Sequence, residues 1–253
     1  MDFDLQGWTS VFIRAGAFLL ALPVLSASNL PTILRTALAA LIAALVAPGL
    51  PPTPPAPDFW SSIGRMIAEA LVGLSLGFTA RLVFGAFELA GQLVTSELGL
   101  NMSAVLNPIA SVPQQAPGTI LYLLAAMLLF TLDLHHWLLA GFARSYTLVP
   151  IGGAHLHEGL LEHLVRQSSN MFVVALQMTA PVLSITFTVT LVFAMLGRVV
   201  PQMDVFSASF AVRIAAGLTV FGMTLPLVAE HMANGLRRMP DDLMRVAHWL
   251  GGP

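Results

Sequence analysis

The chain has no cysteine and, across its 253 residues, no lysine. Without cysteine there can be no disulfide, no thiolate metal site and no cysteine nucleophile. The eleven cationic side chains are all arginine. Charge of either sign is scarce: 9% of residues are charged, where ordinary soluble domains carry about 25%. The formal net charge of −2 offers no basic patch, so a nucleic-acid partner is not expected. Walker A, dinucleotide-binding and EF-hand patterns are missing, and no cofactor is expected. The opening residues Met1-Asp2-Phe3-Asp4 lack the positive region of a secretory signal. The first apolar run therefore reads as mature protein.

What is abundant is apolar surface. Hydrophobic types fill 57% of the chain, and the mean hydropathy is +0.82. A soluble chain of this length would leave much of that area in water, whereas lipid can face it without cost. A spanning helix needs about 20 apolar residues. Six runs qualify: 8–26 (with Arg14 inside it), 33–50, 59–98, 119–142, 171–196 and 208–228. The expected fold is an all-α membrane protein. The second run stops at the proline-rich residues 51–57, since proline cannot continue a helix. Residues 59–98 exceed one span, so this helix either projects beyond the membrane or breaks near Gly91. Residues 184–190 alternate with period two, a strand pattern. A lone strand in lipid cannot satisfy its backbone, so a helix is predicted there too. Residues 241–250, after Pro240, read as a short separate amphipathic helix. Six spans would put both termini on one side. Arg65, Arg144, Arg166, Arg237, Arg238 and Arg245 outnumber Arg35 and Arg198, which places that side in the cytoplasm.

Few residues invite a chemical reading. Gly73-Leu74-Ser75-Leu76-Gly77 fits the G-x-S-x-G elbow, but that motif needs a strand–turn–helix setting, and here it lies in a helical run. The same residues read G-x-x-x-G, a close-packing pattern for membrane helices. Gly73, Gly77, Arg81, Gly85, Glu88, Gln92 and Ser96 recur at spacings of three and four, which lines them along one stripe. The stripe suits either an intramolecular helix contact or a contact with partner subunits. His155, His157, Glu158, Glu162 and His163 cluster, yet their spacing is not H-E-x-x-H, and a polar connection explains them without a metal. Asp133, His135 and His136 fit a proton relay or a hydrated helix end. Residues 101–118 carry Asn107-Pro108, Pro113 and Pro117 beside apolar Met102, Val105, Leu106 and Ile109. This segment reads as an ordinary loop between spans or a re-entrant loop in a channel.

Arg198-Val199-Val200-Pro201-Gln202-Met203-Asp204-Val205-Phe206 resembles the R-x-x-P-Q-M/L-N-V-F signature of the FliR family of flagellar export-gate proteins and their injectisome counterparts. Leu98-Gly99-Leu100 followed by Asn107-Pro108 is similar to that family's M-G-L…D-P loop. His135-His136, then Ser145-Tyr146 and Pro150, is similar to its histidine, S-F and P after the fourth run. The order and spacing agree along nearly the whole chain. Departures are Asp204 for the usual Asn, Asn107 for Asp, and Glu97-Leu98 where Gln and Met are common.

The resemblance implies a non-enzymatic channel subunit of the flagellar type III export gate, with helical hairpins in a pseudo-symmetric helical assembly. It implies FliP-like, FliQ-like, FlhB-like and FlhA-like partners and unfolded flagellar proteins as cargo. It implies the bacterial inner membrane and the flagellar basal body as the location. It also implies one domain over 1–253, with a FliP-like half at 1–150 and a FliQ-like half at 151–253. The loop 101–118 would be the inner plug, with Met102, Val105, Leu106, Asn107, Pro108 and Ile109 at the gate. An injectisome gate subunit of the same family is the nearest alternative. A small-solute transporter would need paired interrupted helices in its two halves, and an intramembrane serine protease would need a base beside Ser75. Neither alternative accounts for the P-Q-M-D-V-F element.

Overall fold

The structure is a computed structural model that describes residues 4–23, 31–54, 57–100, 116–155, 157–200, 202 and 204–252. Among these, all regular structure is helical. The α-helices are α1 (Leu5–Ala21), α2 (Thr32–Val46), α3 (Phe59–Glu97), α4 (Ala116–Thr131), α5 (Leu134–Leu148), α6 (Glu158–Val199) and α7 (Val205–Gly251). A single 3-10 turn, Ala47–Gly49, extends α2. Four helices, or five spans if α4 and α5 count as one bent span, are long and apolar enough to cross a membrane. The chain is a multi-pass, all-α membrane protein.

Several boundaries follow from local chemistry. Asp4 caps α1, its Oδ1 accepting the Gly7 N–H at 2.9 Å, which satisfies one orphan amide of the first turn. The α3 helix ends on Gly99, whose φ of +70° suits a residue without Cβ. Gly99 N–H donates to Ser96 O at 3.0 Å and Leu100 N–H to Thr95 O at 3.1 Å. This pair of bonds is the Schellman closure of a helix C-terminus. Residues 184–190 are helical, as expected. Thr188 and Thr190 donate their hydroxyls to carbonyls four residues back, at 2.8 and 2.7 Å. The β-branched run therefore hides its polar groups inside the helix it forms.

Three expectations change. The run 119–142 is two helices bent by 72° at Leu132 and Asp133, where Asp133 takes a left-handed backbone with φ 54°. The tail 241–250 is not a separate helix, because α7 continues through Pro240 without interruption. Leu236, Met239, Leu243, Val246, Ala247 and Leu250 are all buried, so one packed stripe runs across the proline and outweighs its lost hydrogen bond. Finally, α4 begins at Ala116, so Ala116, Pro117 and Gly118 belong to a helix rather than to the preceding loop.

Gly91 does not break α3. The helices α3, α6 and α7 have 39, 42 and 47 residues. At 1.5 Å per residue they are about 58–70 Å long, roughly twice a hydrocarbon core of about 30 Å. A count of simple spans, and the orientation drawn from it, does not carry over to helices of this length.

The chain divides into two compact units, each drawn from separated stretches. The first comprises Met1–Val83, Leu129–Ser169 and Leu236–Pro253. In it α2 lies on α1 through the buried Ala39 and Ala43, and Phe18 stacks on Phe142 with centroids 5.2 Å apart. The second comprises Phe84–Leu128 and Asn170–Gly235. Its core includes Phe87, Val94, Leu98, Leu121, Ala175 and Val182.

Candidate functional site

Polar chemistry in the first unit concentrates at one buried point. Arg14 and Glu69 pair with both side chains fully enclosed, Nε to Oε2 at 2.6 Å. A second arm, Nη2 to Oε1 at 3.1 Å, makes the pair bidentate. Both terminal nitrogens also donate to Val149 O at 3.0 Å, and Nη1 reaches Ser145 Oγ at 3.3 Å. Glu69 Oε1 accepts Gly152 N–H at 3.0 Å. The Tyr146 ring lies 3.9 Å from the guanidinium carbon. A buried charge persists only when paired and hydrogen-bonded, and here each arm is used. The network ties α1, α3, α5 and the turn after α5 to one another.

The sequence displays Arg14 as a charge in an apolar run, but nothing in it selects Glu69 as the partner. A charge at membrane depth must find an opposite one, which narrows the choice to the acidic residues of other apolar runs. Only the folded chain chooses among these. Asp4 forms a second link across the same unit. Besides capping α1, its Oδ2 accepts Thr53 N–H at 3.0 Å, holding the proline-rich segment after α2. The amides of Gly7 and Thr53 keep the Asp4 carboxyl below its ordinary value.

The α3 stripe serves different neighbours along its length. Gly73 and Gly77 lie directly against α1 of the same chain. A Cβ on Gly73 would sit 2.2 Å from Arg14 O, and one on Gly77 2.5 Å from Ala21 Cβ. Gly85 lies against Met171 of α6. Arg81, Glu88 and Gln92 are exposed, so the polar members are the ones open to further contact. Ser75 donates to Leu71 O at 2.8 Å inside the helix, so the strained elbow that an activated serine requires is not formed there.

Gly91 marks another close approach, in the second unit. A Cβ there would fall 2.3 Å from Gly118 Cα on α4. Elsewhere in that unit, Thr186 hydroxyl donates to Glu97 Oε2 at 3.2 Å, and Arg213 donates to the exposed Thr190 Oγ1 at 3.0 Å.

The segment 198–206 lies where α6 ends and α7 begins, and residues 198–200, 202 and 204–206 of it are described. Arg198 stands in the last turn of α6, where a cation suits the helix dipole. Gln202 is exposed in the turn. Asp204 receives Ser207 N–H on Oδ1 at 3.2 Å and Ser207 hydroxyl on Oδ2 at 2.6 Å. Asp and Asn are equivalent in this capping role, so the departure at 204 keeps the function of the position. Val205 starts α7 and faces Gly197 on α6, where a Cβ would lie 3.3 Å from its Cγ2. Phe206 belongs to the first turn of α7. Pro201 and Met203 lie outside the described residues, as do Met102, Val105, Leu106, Asn107, Pro108 and Ile109.

The histidine-rich connection 155–163 gathers no set of three ligand atoms among the described residues. His155 N–H donates to Leu250 O at 2.9 Å, and Glu162 pairs with Arg166 one turn on, at 2.9 Å. Asp133, His135 and His136 are the three that do converge.

Long apolar helices with one fully buried charge pair between them define a multi-pass helical membrane protein. The family of bacterial export proteins, family 1, matches residues 5–239, and the chain belongs to that family. The flagellar biosynthetic protein FliR of Pectobacterium carotovorum is 28% identical over 250 residues, covering 96% of each chain. FliR of Escherichia coli is 25% identical, covering 92% of this chain and 90% of its own. FliR of Bacillus subtilis is 27% identical, covering 88% of both.

Proposed function

We propose that this chain is a FliR-type component of the flagellar protein export apparatus in the bacterial inner membrane, at the flagellar basal body. Near end-to-end similarity to proteins named as flagellar biosynthetic FliR carries this reading. Within the apparatus it acts as a core subunit of the export gate, assembled with FliP-like and FliQ-like subunits and joined by FlhB-like and FlhA-like proteins. Unfolded flagellar proteins pass along the path these subunits form. The role is structural and conductive rather than enzymatic. The division into a FliP-like half, 1–150, and a FliQ-like half, 151–253, belongs to the same reading.

Two observations support a subunit buried in an assembly. Large apolar side chains stand exposed on the long helices, among them Phe187, Met195, Met223 and Leu227. Such surface needs lipid or protein against it. The exposed Arg81, Glu88 and Gln92 on α3 need protein or water instead, and they suit contact with a neighbouring subunit. Segment 101–118 closes the path. Apolar side chains in a narrow pore exclude water and ions by dewetting, and methionine, an unbranched and polarizable side chain, suits position 102 to resealing around varied cargo.

Co-expression with the FliP-like and FliQ-like neighbours, followed by native mass analysis, tests the assignment. A stable mixed complex containing this chain is the expected result. A lone monomer or homodimer, with the other two well expressed, would overturn it.

A further inference from the structure

The chain turns by 72° between α4 and α5, and three metal-ligating side chains meet at that turn. Aspartate before a helix normally caps it by accepting an amide of the first turn. Asp133 holds the N-cap position of α5 but makes no such bond. Its left-handed backbone, φ 54° and ψ 20°, is one a non-glycine side chain rarely adopts. Its carboxylate lies instead beside His136, Oδ1 to Nδ1 at 3.7 Å, which is too long for a hydrogen bond. His135 stands next to them. Its ring centroid is 4.0 Å from that of His136 and 5.2 Å from that of Phe130. Its Nδ1 is closed off from solvent with no hydrogen-bond partner. One ligand atom from each of the three residues lies within 4.8 Å of the other two.

We propose that Asp133, His135 and His136 form a binding site for a divalent transition metal at the α4–α5 bend. Ligand atoms around a tetrahedral zinc, with bonds of about 2.0–2.2 Å, stand roughly 3.3–3.5 Å apart. The Asp133–His136 separation of 3.7 Å is already close to that, and small side-chain rotations bring in His135. Two imidazoles and one carboxylate suit zinc, nickel or copper rather than magnesium or calcium. Three ligands within four residues leave the fourth position to water or to a group from outside. The side chains of His136 and Asp133 are 71% and 76% exposed, so an ion has free entry. A bound metal supplies a bridge across a bend that no side-chain cap secures.

The test uses the full chain, purified in detergent with a tag that carries no histidine. Zinc is titrated by calorimetry, and cobalt serves as a spectroscopic probe. The expected result is one zinc per chain, with affinity falling at least about tenfold in His135→Ala, in His136→Ala and in Asp133→Asn. His155→Ala with His163→Ala should bind zinc as the unaltered chain does. Cobalt should give visible absorption of imidazole–carboxylate ligation that the His136→Ala chain lacks. His136 is exposed, so its removal leaves the packing intact, and circular dichroism checks this. No zinc uptake by the folded unaltered chain would overturn the site. Undiminished zinc binding and cobalt absorption in the His135→Ala/His136→Ala chain would also overturn it, by placing the ion elsewhere.

Discussion

Arg14 shows what a single charge demands of an apolar fold. Its guanidinium is fully enclosed, so Glu69, Ser145 and the Val149 carbonyl must all be in place around it. Removing one member of such a pair strands the other, at a cost of about 3–5 kcal/mol. Arg14→Met or Glu69→Met alone should therefore lower the thermal midpoint in detergent sharply. The double Arg14→Met/Glu69→Met chain should recover much of the loss, because no buried charge is then left unpaired. Equal loss in the single and double variants would refute this account. Asp4 acts at the opposite extreme of exposure. Its carboxyl sits below the ordinary value of 3.8 because the Gly7 and Thr53 amides favour the anion. A lowered folded value means that the stabilisation is complete above the ordinary carboxylate range and is lost as pH falls through the lowered value. Limited proteolysis of the 51–54 segment should accelerate with acid in the unaltered chain. In Asp4→Asn that acid-dependent step should vanish.

At the scale of elements, close packing depends on which glycines face a neighbour. Gly73 meets the backbone of α1 at a distance no Cβ tolerates, whereas Gly64, on the same helix, has nothing within 4 Å. Gly73→Leu should force α1 and α3 apart and cost at least about 2 kcal/mol. Gly64→Ala should be neutral or stabilise by up to about 1 kcal/mol, since alanine is the better helix former. Thermal unfolding of the two variants side by side separates these outcomes. The sequence sets Gly73 apart by its G-x-x-x-G spacing with Gly77, but it does not say which helix that face meets. Only the structure shows that it is α1. The end of α3 was easier to foresee: Leu98-Gly99-Leu100 carries the glycine that a left-handed helix stop requires. The bend at Asp133 had no such warning, since neither glycine nor proline marks it.

At the scale of the whole molecule, the helices α3, α6 and α7 exceed a bilayer's thickness, so their ends lie beyond the hydrocarbon core or run obliquely through it. That length fits a subunit whose helices meet protein as well as lipid. If segment 101–118 seals the conducting path, deleting residues 107–110 should raise the ion conductance of the assembled complex in planar bilayers. A complex that assembles with the deletion and conducts no more than the intact one would remove the plug from the function proposed here.

The residue string alone was enough to establish a helical membrane protein, the positions of most helices and the resemblance to the FliR family. Apolar run length, the absence of lysine and cysteine, and short motifs such as P-Q-M-D-V-F are local properties, readable one segment at a time. It could not pair Arg14 with a glutamate 55 positions away, carry α7 through Pro240, or bend the fourth apolar run at Asp133. Those outcomes depend on which faces of distant helices meet. Burial then decides which charge must be matched, and packing decides which proline or aspartate the helix can accommodate.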